Sequence, residues 1–207
     1  MSEDFLRYFP DLTAGQAEKL LGLKEIYARW NSMINVISRK DMDQFYLHHV
    51  LHSLAIAKVI RFTPGTSILD VGTGGGFPGI PLSIIFPDSE FTLLDSIEKK
   101  IKVVNAVKEE LGLLNVKPVR KRAEEEKERF HFVISRAVTS FGEFVKLSRK
   151  NIHSGSVNEL RNGILYLKGG DLTEELKKYA DRVKIWDISS FFDESFFETK
   201  KIVYLPV

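Results

Sequence analysis

From Ile68 to Pro81 the chain reads ILDVGTGGGFPGIP, an apolar run closed by Asp70 and followed at once by glycine at 72, 74, 75, 76 and 79. Without a Cβ, glycine lets a backbone approach a ligand closely and take positive φ where a turn needs it. Pro81 suits the first turn of a following helix, whose leading amides would face a polar or anionic ligand. This density of glycine directly after an apolar run points to a ligand loop rather than a plain tight turn. Three further polar groups stand at the ends of apolar runs: Asp95 closes FTLLD, Arg136 follows FVIS and Lys168 closes ILYLK. Such positions are where an open α/β sheet gathers a site.

The elements that must place these groups follow from periodicity. Seven short apolar runs lie at 67–71, 91–95, 115–119, 132–135, 164–168, 183–188 and 201–206. Between the second and third, Ser96 is positioned to cap a helix that carries Ile101, Val104, Val107 and Leu111 and is closed by Gly112. Strand, helix and strand in alternation predict a parallel sheet covered on both faces, a doubly wound α/β domain. The last two runs are joined without a long crossover helix, which predicts a hairpin and one antiparallel strand. Before Pro64 the pattern is helical. Thr13 with Gln16 forms a capping-box pair, and Leu20, Leu23, Tyr27, Trp30 and Ile34 line one side. A second helix is expected from Asp41 to about Ile60. Residues 1–62 therefore read as an N-terminal helical region and 63–207 as the sheet domain.

Composition narrows the class. The 207 residues are 43% hydrophobic and 28% charged, which excludes a disordered chain. There is no cysteine, so disulfides, thiolate nucleophiles and cysteine metal sites are excluded. The stretch MSEDFLRYFPDL has no basic start followed by a long apolar run, and no membrane span is evident, so a cytoplasmic protein is expected. A net charge of +2 does not by itself mark a nucleic-acid binder. Its distribution is uneven: Lys99, Lys100, Lys102, Lys108, Lys117, Arg120, Lys121 and Arg122 face only Glu109 and Glu110 within that stretch. This is either a solvated face or a phosphate-binding patch. The run EEEKER at 124–129 reads as a charged connection, and nothing calls for a second copy of the chain.

Two registers of the glycine loop name two ligands. Gly74, Gly76 and Gly79 match the dinucleotide fingerprint, with Asp95 at a suitable distance for a nicotinamide-dependent oxidoreductase. Read from Asp70, the pattern D-x-G-x-G-x-G resembles motif I of the class I S-adenosylmethionine-dependent methyltransferases. The second register is favoured by the Asp70 carboxylate, suited to a ligand with an amino group and a sulfonium, and by Pro78, which stiffens the loop. Seven strand candidates also complete the seven-stranded, mostly parallel methyltransferase sheet and leave no separate substrate domain. Asp95 then suits the cofactor ribose hydroxyls, since one carboxylate can accept from both.

Absences narrow the acceptor. Methylation of a pyrimidine carbon calls for a cysteine nucleophile, which is missing. Methylation of an exocyclic adenine amine goes with a double proline after the fourth strand, and no two prolines are adjacent. Guanine N7 carries a free lone pair, needs no general base, and leaves catalysis to positioning and desolvation.

The stretches RWNSMINVIS (29–38), LDVGTGGGFPGIPLSI, FTLLDS and VISRAV, in this order and spacing, resemble the bacterial small-subunit ribosomal RNA guanine-N7 methyltransferase family, RsmG, also called GidB. The resemblance spans essentially the whole chain. It implies S-adenosylmethionine as methyl donor and N7 of a guanine in the 530 loop of 16S ribosomal RNA, position 527, as acceptor. It places cofactor contacts on Gly72, Phe77, Ala123, Glu124 and Arg136, and Gly74 and Asp95 join them from the loop reading. Arg136 is the expected catalytic residue, and Asn35, His49, Arg136 and Lys168 the expected substrate contacts. The partner is 16S RNA in the small subunit or an assembly intermediate. One segment departs from the family: where Arg-His-Ile-Leu-Asp-Ser is expected, the chain has His48, His49, Val50, Leu51, His52 and Ser53.

Bland readings stand beside these. His48 and His52, four residues apart, have the spacing of two metal ligands, but no third accompanies them and no metal is expected. They read first as surface histidines, then as pH-sensitive contacts. Asn31 and Asn35 are substrate contacts or ordinary helix-end groups, and Arg136 is alternatively paired to an acid. The aromatics Phe191, Phe192, Phe196 and Phe197 read as packing rather than a base-stacking platform. A protein that binds S-adenosylmethionine and RNA without turnover shares the same motifs.

Overall fold

The computed structural model describes residues 4–136 and 138–207, with the backbone alone at Asp4 and Arg39. Met1, Ser2 and Glu3 of the amino-terminal stretch and Ala137 of VISRAV lie outside the described residues.

Helix α1 (Ala14–Met33) opens on the expected capping box: the Thr13 hydroxyl accepts from the Gln16 amide, and the Gln16 side chain accepts from the Thr13 amide at 2.9 Å. Its buried face is Leu20, Leu23, Ile26 and Tyr27, at helical spacing. The second helix is not continuous. It is broken into α2 (Arg39–Asp43, capped by Ser38), a π-helical turn (Tyr46–Leu51), α3 (His52–Leu54) and a 3-10 turn (Ala55–Lys58). Phe45, Val50, Leu51, Leu54, Ala55 and Ile56 are all buried, a wider arc than one regular helix turns toward one face. Changing the winding brings them all inward, and the π turn carries His48 and His49.

Seven strands follow: β1 (Ser67–Val71), β2 (Glu90–Asp95), β3 (Val116–Arg120), β4 (Phe132–Arg136), β5 (Gly163–Gly169), β6 (Lys184–Asp187) and β7 (Lys200–Pro206). They form one sheet of order β3-β2-β1-β4-β5-β7-β6. β1 to β5 pair in parallel, and β7 runs antiparallel to both β5 and β6. The single reversed strand is the one expected, and it inserts between β5 and β6. Side chains alternate between faces with the period of two that strands impose. Ile68, Phe91, Leu93, Phe132, Ile134 and Leu165 join a core with α1 and the segment 45–62, while Leu69, Val71, Leu94, Val133, Ile164 and Tyr166 join the other face.

The crossovers are α4 (Gly79–Ile85) and α5 (Glu98–Leu111) on the first face, and α6 (Phe141–Ser148) and α7 (Thr173–Leu176) on the second. Gly112 ends α5 in the left-handed conformation, as its position predicts. Ser96 does not cap α5. The cap position falls on Ile97 with no side-chain cap bond, and Asp95 Oδ1 accepts from the Ile97 amide at 2.9 Å just ahead of the helix. Between β3 and β4 the described chain makes only a 3-10 turn, Ala123–Glu125. The charged run there is not simply solvated: Glu126 is buried and accepts from the Lys127 and Glu128 amides and from Lys121. No described helix is long and apolar enough to cross a membrane.

Candidate active site

The glycine loop stands at the carboxyl end of β1, the edge where ligands bind in doubly wound sheets. Gly72, Gly74 and Gly76 have φ of 67, 59 and 102°, conformations closed to most side chains. The amides of Gly72 and Thr73 donate to the Leu94 carbonyl, and that of Gly74 donates to Asp95 Oδ2 at 3.0 Å. The loop is thereby fastened to the end of β2. A Cβ on Gly72 would lie 2.6 Å from Val138 Cγ2, so a glycine here lets the segment after β4 pack closely on the loop, whereas Gly74 faces open space.

Asp70 does something other than meet a ligand. It is fully buried, and its Oδ2 accepts from the Thr73 hydroxyl at 2.7 Å and the Gly79 amide at 2.9 Å. The carboxylate thus holds both ends of the loop from beneath. The leading amides of α4 are not free for a ligand either, because Gly79 donates to Asp70 and Ile80 to the Gly76 carbonyl. Burial raises the Asp70 pKa to about 7 against the pull of its two donors and of Arg136. A residue missed in the sequence fastens the loop from above: the buried Tyr27 hydroxyl donates to the Gly75 carbonyl. A tyrosine in an apolar helical stripe was its only trace, since a buried hydroxyl needs a partner.

Arg136 ends β4 and turns toward the π turn. Its Nη1 donates to the His48 carbonyl at 2.9 Å and its Nη2 to His49 Nδ1 at 3.0 Å. The guanidinium also lies 5.4 Å from the Phe77 ring centroid. The expected alternative, a simple pair with an acid, is not what forms. Burial lowers the Arg136 pKa to about 10, while Asp70, Asp41 and Tyr27 act to raise it. A guanidinium only donates, so His49 Nδ1 accepts and the ring proton sits on Nε2. Burial and the neighbouring cation keep His49 neutral, with its pKa lowered to about 3. His49 packs against Phe45 and Phe77, and its Nε2 is buried without a partner among the described residues.

The other expected residues divide. Gly72, Gly74, Phe77, His49 and Arg136 converge at one place, and Asp95 adjoins them. Asp95 is 6% exposed, with Oδ1 on the Ile97 amide and Oδ2 on Gly74 and on Lys100 at 3.5 Å. Oδ1, with one partner, retains a further acceptor position. Ala123 and Glu124 sit in the 3-10 turn after β3, at the same sheet edge. Lys168 reaches that edge, but its ammonium is bound to Glu175 at 2.8 Å and to the Thr139 carbonyl at 3.2 Å. Asn35 is exposed, whereas Asn31 bonds Val36 and Ile37 and shapes the loop after α1.

His48 and His52 are not surface histidines. His48 is held by Asp41 at 3.0 Å and stacks on Phe196, and His52 is 6% exposed between Phe196 and Phe197. Within the basic stretch, Lys100, Lys117, Arg120 and Lys121 are each paired with an acid, which divides it rather than leaving one patch. Two surface grooves of ≈ 980 and ≈ 720 Å³ open at the amino ends of the strands, near Asn115 and Arg129 and near Phe9 and Lys58. Neither is lined by the glycine loop or Arg136, so volume alone would misplace the site.

A sheet of this order, with a glycine loop after β1 and an acid closing β2, defines a class I, Rossmann-like methyltransferase. Solved structures of the same fold include a precorrin-6y C5,15-methyltransferase from Geobacter metallireducens, 13% identical with TM-score 0.58, covering 84% of this chain and 92% of that one. A SAM dependent methyltransferase from Aquifex aeolicus is 14% identical with TM-score 0.58, covering 83% and 100%. Residues 16–202 match the family model GidB, rRNA small subunit methyltransferase G. The Ribosomal RNA small subunit methyltransferase G of Flavobacterium johnsoniae is 54% identical over 99% of this chain and 98% of the relative. The protein of that name from Bacteroides thetaiotaomicron is 52% identical over 99% and 100%. The chain belongs to the rRNA small subunit methyltransferase G family. That membership sets aside the oxidoreductase register of the loop.

Proposed function

We propose that the protein transfers the methyl group of S-adenosylmethionine to N7 of a guanine in the 530 loop of 16S ribosomal RNA, position 527. The observation that carries this reading is the meeting of the glycine loop with a buried Arg136–His49 pair at one sheet edge, in a chain of this family. The residues fit the cofactor. Gly74 has open space where a Cβ would stand, and His49 offers a buried Nε2–H with no acceptor among the described residues. Gly72, Gly74, Phe77 and Arg136 would hold its amino-acid end, Asp95 its ribose, and Ala123 and Glu124 its adenine. When bound, the cofactor supplies a methyl group activated by a sulfonium.

The chain's own part is positioning. Guanine N7 brings its own lone pair, so no side chain has to remove a proton, and a neutral His49 agrees with that. Arg136, rigid on His48 and His49, serves as the catalytic group through its remaining N–H donors. His49 and the exposed Asn35 border the substrate, and Lys168 acts through the Thr139 segment it holds. In this reading residues 1–62 clasp the loop and 63–207 form the catalytic sheet. The protein works as a cytoplasmic monomer on the small subunit or an assembly intermediate.

The test offers labelled S-adenosylmethionine and the protein to small subunits, and separately to bare 16S RNA, from cells lacking the modification. N7-methylguanine is then mapped by chemical cleavage. One methylated guanine in the 530 loop is expected. Cofactor binding with no methyl product on either substrate would favour the non-catalytic binding protein instead.

A further inference from the structure

Three lysines lie side by side where β5 ends and β7 begins, and only two of them are neutralised. Lys168 is paired with Glu175 at 2.8 Å, and Lys201 with Asp187. Lys200 has no carboxylate partner among the described residues. Its side chain lies along Gly169, opposite it in the antiparallel ladder, where an added Cβ would come within 3.1 Å of both Cδ and Nζ. The ammonium rests 4.9 Å from the centroid of the Phe196 ring. His48 stacks on that same ring at 4.2 Å and is fixed in turn by Asp41. A long side chain is therefore laid down, half-buried, by a glycine that makes room for it and an aromatic ring that receives it.

The surroundings show what such an ammonium lacks. His52, 6% exposed, lies edge-on to Phe196, and its Nε2 is buried without a partner among the described residues. Burial keeps it neutral, and the cations Arg136 and Lys200 act in the same direction. Asp70 is engaged beneath the glycine loop and acts on Arg136, and Asp41 is engaged on His48, so among the described residues no carboxylate is left over for Lys200. A held cation without a counter-ion beside a catalytic centre is suited to an anion brought by the substrate. One strand, β5, lies between β4 and β7, so two interstrand spacings set Lys200 about 10 Å to the side of Arg136. That is beyond the reacting base, in the region of the strand that flanks it.

We propose that Lys200, seated on Gly169 and Phe196, binds a backbone phosphate of the RNA strand next to the target guanine. The proposal rests on the ribosomal RNA methyltransferase reading above and adds to it a named substrate contact. Phosphate contacts position a strand without reading its sequence, which fits a point charge better than a hydrogen-bonding fork. Phe196 is not the base platform here, because its ring is already occupied by His48 and Lys200.

The test compares wild type, Lys200→Gln, Lys200→Arg and, as control, Lys201→Gln. Filter binding measures affinity for unmethylated small subunits across a series of KCl concentrations, calorimetry measures S-adenosylhomocysteine binding, and methyl transfer is followed in parallel. Lys200→Gln is expected to weaken subunit binding about five- to tenfold and to flatten the plot of log affinity against log salt by about one unit. Lys200→Arg restores both, Lys201→Gln changes neither, and S-adenosylhomocysteine binding is the same in all four. An unchanged salt slope in Lys200→Gln overturns the proposal. A matching loss of S-adenosylhomocysteine affinity also overturns it, by moving Lys200 to the cofactor. Methyl transfer by wild type judges the underlying reading separately: binding without turnover would sink that reading while the salt slopes still decide the role of Lys200. If wild type neither binds nor methylates, both fall.

Discussion

Arg136 Nη2 donates to His49 Nδ1 at 3.0 Å, and this one bond sets the state of both groups. It makes the imidazole an acceptor, leaves its proton on Nε2, and fixes the guanidinium against the π turn. Arg136→Ala removes the charge and leaves the His48 carbonyl and His49 Nδ1 without their donor. Methyl transfer should fall about 100-fold or more, in line with loss of one preorganised donor at a reacting centre, while circular dichroism stays native. Near-normal turnover would take Arg136 out of the mechanism.

The direction of the bond separates two substitutions of His49. The amide oxygen of asparagine can take the place of Nδ1, whereas glutamine extends toward the place of Nε2. His49→Asn should therefore keep Arg136 in position and retain turnover within about threefold, and His49→Gln should lose about tenfold or more. Equal losses in both, measured as kcat/KM for small subunits, would mean that the acceptor at Nδ1 is not what matters.

Asp70 predicts a pH dependence. Its folded pKa, raised to about 7, lies above the usual carboxylate value of 3.8, so between those values the folded protein holds a proton that the unfolded chain has released. The contribution of this group to stability therefore declines as pH rises from 4 to 7 and is level above that. Asp70→Asn keeps an acceptor for Thr73 and Gly79 without the charge. Its urea midpoint relative to wild type should climb steadily from pH 4 to 7 and then plateau. A constant difference across that window would place the Asp70 pKa near its ordinary value.

Tyr27 links α1 to the loop through a single hydroxyl. Tyr27→Phe retains the packing against Phe45 and Phe77 and removes only the donor to the Gly75 carbonyl. We expect about 1 kcal/mol of lost stability and a several-fold weaker dissociation constant for S-adenosylhomocysteine. Calorimetry showing unaltered affinity would confine Tyr27 to the core.

What the sequence revealed was local. Thr13 and Gln16 form their capping box within four residues, and each strand declares itself through a run such as SILDV whose alternate side chains enter opposite cores. The edge residues Gly72, Asp95 and Arg136 were legible because strands end where ligands bind. The misreadings were tertiary. A helix from Asp41 to Ile60 looked continuous because its apolar spacing is helical, yet packing on the sheet broke its winding. Asp70 looked ligand-facing by position, but its role follows from Gly79 returning beneath it. The Arg136–His49 bond joins residues 87 apart, and no spacing pattern announces such a meeting.

The reversal of β7 bears on the order in which the molecule is completed. Parallel strands present to the ligand edge only the residues where they stop, but β7 presents the residue where it starts, Lys200. β6 has no sheet neighbour until β7 lies between it and β5. A chain folded only through β5 would have the glycine loop, Asp95 and Arg136, yet lack the flank formed by Phe196 and Lys200. Cofactor binding and RNA binding would then be acquired in sequence during folding, with the last strand conferring the second.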